Sequence, residues 1–171
     1  DQALCYTIPH LRIEHAMRNT HVPVGYWRGV NINQNAIYIE CFMDELAQAA
    51  GQSPLAFRQK LMAKTPKHWA VLEAVAKRAG YGSKPMGKGW GMGLAQMKAF
   101  NSYVAACAEV SVKDGNKVKV HRIVAATDPG YAVNPAQIER QIAGSFVYGL
   151  TAMMYGEITV KDGEVEQTNF D

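Results

Sequence analysis

The residues best suited to chemistry lie in the run VPVGYWRGV, residues 22–30. Gly25 and Gly29 bracket Tyr26, Trp27 and Arg28 just ahead of a helical pattern. Glycine lets a backbone approach a ligand closely. The N–H groups that open a helix suit an anion, and Arg28 adds a permanent positive charge with five donors. The same run fits a structural turn carrying an arginine–aromatic stack, and residue chemistry alone leaves the two readings level. The other candidates are weaker. His10, His15 and His21 are spaced five and six apart, which matches no zinc pattern. Cys5, Cys41 and Cys107 form no CxxC pair, and the apolar surroundings of Cys41 and Cys107 predict buried, reduced thiols. Asp44 and Glu45 are neighbours on a helix and point apart. Asp128 precedes Pro129-Gly130 and reads as a turn former. A Gly-x-Ser-x-Gly nucleophile motif is absent.

The elements that would position these groups follow from periodicity. Residues 1–24 read as irregular or short extended chain. Residues 34–50 read as a helix whose stripe is Ile39, Phe42, Met43, Leu46 and Ala50, ended by Gly51. Ser53-Pro54 opens a second helix to about residue 62, an N-cap followed by proline at the first helical position. Thr65-Pro66 repeats that device for a third helix, which Gly80 ends. GKGWGMG then places Gly87, Gly89, Gly91 and Gly93 at alternate positions, so an extended strand there has one face bare of side chains. Residues 103–112 alternate as a strand and turn back at Asp114-Gly115 into VKVHRIVAAT. Asn134-Pro135 starts a further helix with the stripe Ile138, Ile142, Phe146, Leu150 and Met153, beside which run Gln141, Ser145 and Gly149. Asp162-Gly163 marks a second hairpin. Helices followed by strands around an embedded helix predict an α+β fold. The predicted division is an N-terminal irregular segment and three helices in residues 1–82, then hairpins with the helix 134–153 in residues 83–171.

Composition agrees with a globular chain. The 171 residues are 48% hydrophobic and 19% charged, which excludes a disordered or collagen-like protein, and no apolar run reaches the length of a membrane span. No signal peptide stands at the front, and an opening Asp1 predicts a processed product or a fragment. The net charge of +3 is uneven: residues 51–100 hold nine basic and one acidic side chain. Such a middle could meet phosphates. Its lysines and arginines are spread without interleaved aromatics, so they read as a solvated helical face, and no nucleic-acid partner is expected.

GYWRGVNINQNAIYIECFMDELAQAAGQSPLAFR resembles a segment of the molybdenum hydroxylases, the xanthine oxidase and aldehyde oxidoreductase family, around its arginine-glycine turn. SYVAACAEVSV, VHRIVAATDPGYAVNPAQIERQIAGSFVYGLTAMMYGEIT and QTNFD follow in that family's order. The "YWR" form is similar to the large molybdopterin-binding subunits of the isoquinoline 1-oxidoreductase branch and its related aldehyde dehydrogenases. The likeness runs over nearly the whole chain from about Pro23.

That resemblance implies an enzyme that hydroxylates aromatic N-heterocycles or oxidises aldehydes, with water as the oxygen source. It implies a molybdenum-molybdopterin cytosine dinucleotide cofactor and a small iron–sulfur partner subunit. It implies that Arg28 and Gly29 approach the cofactor and that Gln141 hydrogen-bonds the pterin. It also puts Val30 and Trp27 at the substrate pocket, Val30 where a subset of the family has an aromatic residue. Asn134 and Pro135 match a structural helix start. The family's catalytic glutamate and most cofactor loops have no counterpart here, so no residue of this chain is expected to be catalytic or to ligate a metal. By itself the chain is expected to bind no cofactor and to turn over no substrate. The rival expectation is a non-catalytic assembly module, forming a homodimer or binding a partner subunit. Compartment, cytoplasmic or periplasmic, is left open.

Overall fold

A computed structural model describes residues 4–83 and 85–168, in two compact units that divide between Gly130 and Tyr131. The first unit holds α1 (Ile32–Ala49), α2 (Pro54–Leu61), α3 (Pro66–Ala79) and the strands β1 (Trp90–Ala99), β2 (Ser102–Lys113) and β3 (Lys117–Asp128). The second holds α4 (Pro135–Tyr155) and the two-residue strands β4 (Val160–Lys161) and β5 (Glu164–Val165). The fold is α+β, as expected.

Local chemistry accounts for most boundaries. The Ser53 side chain accepts from Ala56 N at 3.1 Å and Pro54 stands at the first helical position of α2. Asn134 caps α4 in the same way by accepting from Gln137 N. Gly80 ends α3 in the left-handed conformation, φ 73°. Thr65 differs from expectation. Its hydroxyl makes no cap bond and donates instead to Cys5 O at 2.9 Å and Met62 O at 3.2 Å, so it ties the N-terminal segment to the start of α3.

β1, β2 and β3 form one antiparallel sheet in sequence order. Phe100-Asn101 joins β1 to β2 with both residues at positive φ, the backbone of a two-residue type I′ turn. Asp162-Gly163 makes the same turn between β4 and β5. Gly89, at φ 77°, is a place where a side chain will not fit: a Cβ there would lie 2.8 Å from Val112 O, while Gly89 O accepts from Val112 N at 2.7 Å. Around Gly91 and Gly93 the Cβ positions are open. Of the four alternate glycines, Gly89 is forced by backbone packing, Gly91 and Gly93 leave β1 bare, and Gly87 precedes the strand, where a Cβ would make ordinary contact with Trp90.

The core lies between α3 and one face of the sheet. Val71, Leu72, Val75, Ala76 and Ala79 of α3 are buried with Leu94, Ala105 and Cys107 of the strands. Leu94 pairs with Cys107 across β1 and β2, so these residues share a face. α1 adds Met43 and Ala47, but its buried face differs from the expected stripe. The buried residues are Glu40, Met43 and Ala47, while Phe42 is 54% exposed. Met43 is buried and Ile39 and Leu46 pack against the core as the stripe predicts, but Glu40 and Ala47 replace Phe42 and Ala50 on the inward face, because Glu40 takes an inward position to meet Arg58. In α4, Ile138, Ile142, Phe146 and Leu150 are half-buried as the stripe predicts, and Met153 is exposed. Cys107 is buried as expected, whereas Cys41 is exposed because it lies on the side of α1 away from Glu40, Met43 and Ala47.

Candidate functional site

Trp27, Arg28, Gly29 and Val30 form one tight turn that leads into α1. Val30 N donates to Trp27 O at 2.9 Å and Ile32 N to Gly29 O at 3.0 Å. Val30 has φ 52°, a conformation costly for a β-branched residue, by about 1–3 kcal/mol. Such strain persists only where neighbours over-determine it, and Asn33 is one of them. Its Nδ2 donates to Val30 O at 3.5 Å, and its Oδ1 lies where a Cβ on Gly29 would come within 2.2 Å. Thus what approaches Gly29 closely is Asn33, a residue that its sequence context does not single out. Gly25 has open space around it.

At the head of α1 the Asn31 side chain makes no cap hydrogen bond, and no acidic residue stands in the first turn. Ile32 N is taken up by Gly29 O, so the amides of Asn33 and Gln34 are what the helix head offers, near in sequence to Arg28, an exposed residue that is not without a partner of its own. Trp27 is 47% and Val30 43% exposed, so both offer apolar surface beside these donors. Backbone donors, a guanidinium and an apolar wall suit an electron-rich, anionic heterocycle such as a pterin carrying dithiolene sulfurs and phosphate. Gln141 lies in the other unit, exposed on the second turn of α4 in line with Ser145 and Gly149. The Ser145 hydroxyl donates to Ile142 O at 2.7 Å, which leaves Gln141 the polar group of that strip with a side chain able to reach a ligand.

The strongest polar cluster was not anticipated. Glu40 and Arg58 are 4% and 0% exposed and pair at 3.2 Å. The Glu40 carboxylate also accepts from Tyr6 Oη at 2.7 Å, Gln96 Nε2 at 3.0 Å and Gln96 N at 3.2 Å. Arg58 reaches Asp44, Pro54 O and, at 2.8 Å, Glu40 O. Gln96 Oε1 meets His68 Nδ1 at 2.6 Å, while its Nε2 also points to Cys5 Sγ at 3.0 Å. Burial lifts the Glu40 carboxyl above its usual range; Arg58, Tyr6 and Gln96 oppose that lift. Burial works to lower the Arg58 guanidinium, but Glu40, Tyr6 and Asp44 outweigh it and hold Arg58 firmly charged. Burial and the neighbouring Glu40 drive the Tyr6 phenol well above its ordinary value. The Cys5 thiol is pushed up to about 11, by burial first. The sequence did hold a signal: Glu40 falls in register with Met43 and Ala47, and a carboxylate on a buried face needs a partner.

The basic middle segment is also more structured than a solvated face. Arg58 is the buried member of the clamp, and Lys67 and Lys98 both sit over the Tyr103 ring, at 5.7 and 5.4 Å from its centroid. Asp128 is the turn former expected, its carboxylate accepting from Gly130 N at 2.9 Å. His10, His15 and His21 are exposed in the irregular segment. Among the described residues no group of three or more His, Cys, Asp or Glu side chains could hold a metal ion, and no helix is long and apolar enough to cross a membrane. The QTNFD motif lies partly outside the described residues.

Residues 28–171 match the model of a molybdopterin cofactor-binding domain, a match that opens at Arg28. The chain is 28% identical to the isoquinoline 1-oxidoreductase beta subunit of Brevundimonas diminuta over 98% of its own length and 22% of that protein's. It is 27% identical to a nicotinate dehydrogenase subunit of Pseudomonas putida, over 94% and 15% of the two lengths. It is 23% identical to a membrane-bound aldehyde dehydrogenase of Gluconacetobacter polyoxogenes, named for pyrroloquinoline-quinone, over 81% and 20%. The chain thus spans less than a quarter of each of these relatives. No solved structure matches it. With a match over most of its length, the chain belongs to the molybdopterin cofactor-binding domain family.

Proposed function

We propose that this chain forms part of the cofactor-binding wall of a molybdopterin-dependent oxidoreductase that hydroxylates aromatic N-heterocycles or oxidises aldehydes with oxygen from water. The observation that carries this reading is the strained turn at residues 27–30, with Val30 at φ 52° and the open head of α1 beside Arg28. When bound, the molybdenum cofactor supplies the two-electron redox chemistry. Arg28 and the Asn33 and Gln34 amides at the head of α1 would hold an anionic part of it, Gly29, packed on Asn33, would keep the turn compact beside it, and Gln141 would donate or accept a hydrogen bond at the pterin. Val30 and Trp27 would wall the substrate side, smaller at Val30 than an aromatic residue would be. This proposal includes the cytosine dinucleotide form of the cofactor and a small iron–sulfur partner subunit. It also includes the expectation that the isolated chain is inactive and retains no cofactor. The first two relatives are each named as one subunit of an enzyme, which favours a partner. The third is named for a quinone cofactor, and metal analysis separates the two chemistries.

The test is Arg28→Ala and Gly29→Ala made in the intact native protein, with molybdenum and released pterin measured on the purified product. Both variants should lose most of the molybdenum and pterin while keeping the far-ultraviolet spectrum of the parent. Full retention of both, or a parent without molybdenum, refutes the reading. A second reading, an assembly module, draws on the apolar side of α1, where Ile37, Tyr38 and Phe42 are all more than half exposed. Sedimentation across a range of concentrations tests it, and a strictly monomeric chain counts against homodimer formation.

A further inference from the structure

We propose that the cavity at the head of α3, lined by Lys64, Lys67, His68, Lys98, Asn101 and Tyr103, binds a small organic phosphate by its phosphate group. The cavity measures about 600 Å³. Three lysines line it from three places, Lys64 from the turn before α3, Lys67 from α3 and Lys98 from β1, and no carboxylate stands among its described lining residues. Among the described residues none of these lysines takes part in an ion pair. Lysines on a solvated face spread apart, but Lys67 and Lys98 converge on the Tyr103 ring. Each ammonium gains from the face of the ring, and an anion in the cavity would give both a counter-charge that the described lining residues do not supply.

Two further features shape the cavity. His68 is 9% exposed and packs edge-on against Tyr103, their centroids 4.8 Å apart. The Gln96 amide nitrogen donates to Glu40, so its oxygen accepts, and His68 carries its proton on Nδ1. Nε2 is then an acceptor and offers the phosphate no donor, so the part His68 plays is to brace the Tyr103 ring over which the two lysines sit. Thr65 does not cap α3, so the first-turn amides of this 14-residue helix open at the same end. Lysine is a compact point charge, suited to a phosphate dianion, and the cavity has no arginine fork of the kind that selects a carboxylate.

The body of the ligand follows from the adjoining space. A mainly apolar groove of about 1380 Å³ shares Leu4, Cys5, His68 and Lys98 with this cavity and is lined further along by Ile8, Ile39 and Phe100. A phosphate in the basic cavity can thus carry an apolar or aromatic group into the groove. This inference stands whether or not the chain takes part in redox chemistry.

The experiment is isothermal titration of the full chain with inorganic phosphate, 1-naphthyl phosphate, 1-naphthoate and cytidine 5′-diphosphate. Saturable binding of 1-naphthyl phosphate, tighter than inorganic phosphate and 1-naphthoate, is expected. Lys67→Gln and Lys98→Gln should each weaken it by about tenfold, the worth of one charge-assisted hydrogen bond, with an unchanged far-ultraviolet spectrum. Lys64→Gln, at an exposed position, keeps the test open if either of the others unfolds. Tighter binding of cytidine 5′-diphosphate supports the proposal and assigns the phosphate to a nucleotide. No saturable binding of either organic phosphate, equal affinity for the naphthoate, or lysine variants that bind as the parent does would each overturn it.

Discussion

Arg58→Met offers a test of whether the buried clamp works as its geometry implies. Arg58 is fully buried and donates to Glu40 Oε2, Glu40 O, Asp44, Pro54 O and Tyr6 Oη. Methionine replaces much of its volume but none of these bonds. The Glu40 carboxylate would keep three donors, from Tyr6 and Gln96, and lose its counter-charge. Breaking one side of a buried pair typically costs about 3–5 kcal/mol, and that loss is expected near pH 8.

The pH dependence then carries the argument further. Burial already lifts Glu40 above its ordinary value of 4.5, and Arg58 is the foremost of the groups opposing the lift. Removing it moves the folded-state value further up. A group whose folded pKa lies above its unfolded one contributes stability that is whole below the unfolded value and is lost as pH rises through the folded one. The variant should therefore lose less stability near pH 5 than near pH 8. Adding Glu40→Gln should recover about 1–3 kcal/mol at the higher pH, because the orphan charge is gone. Urea denaturation followed by circular dichroism at both pH values gives all of these numbers. A loss under about 1 kcal/mol near pH 8, or one that is equal at both pH values, refutes the reasoning.

Two further outcomes concern the thiols and the caps. Cys41 is exposed while Cys5 and Cys107 are buried with raised pKa values, so one thiol should react quickly with a disulfide reagent near pH 8 and three in denaturant. The fold favours the protonated Cys5 thiol, so its contribution is intact below 9.0 and lost as pH rises through about 11. Ser53→Ala should cost about 1 kcal/mol, the usual worth of an N-cap. Thr65→Val should cost about as much through a different bond, to Cys5 O, and should speed hydrogen exchange at Thr7, whose N–H donates to Leu61 O. Equal protection of Thr7 in parent and variant would count against that tie.

What could be read in advance was chemistry closed within a few residues. Ser53-Pro54, Asn134-Pro135, Gly80 and Asp162-Gly163 announce themselves because cap and turn depend on side chains one to three positions away. The clamp was hidden because its partners are remote: Glu40 lies 18 residues from Arg58, 34 from Tyr6 and 56 from Gln96. Nothing local says which face of α1 turns inward until Arg58 and Gln96 are in place. At the turn before α1, residue types fitted a ligand site and a structural turn equally. A valine gives no sign in its own side chain of positive φ; the turn that holds it is closed by Trp27 O, Gly29 O and, three residues on, Asn33.

The clamp also answers why a carboxylate occupies a position where leucine would bury as much surface. In α1 none of the residues from Ile32 to Ile39 is buried, and Glu40 is the first fixed point of the helix that carries the turn. The two are about 12 Å apart along the axis. A leucine there would leave Gln96 N without the carboxylate it donates to, at about 1–3 kcal/mol, and would leave Arg58 without its buried counter-charge, its Nε holding only Tyr6 Oη. It would also leave the register of α1 to apolar contact alone, which tolerates sliding and rotation. Four hydrogen bonds to one carboxylate, from the N-terminal segment, α2 and β1, admit a single arrangement of those pieces. A glutamine could not substitute while Arg58 is present, since its amide nitrogen would confront either Arg58 or Gln96 with a second donor. The charge at Glu40 therefore sets the rotation of α1, and with it the direction in which Arg28 and the open helix head are presented.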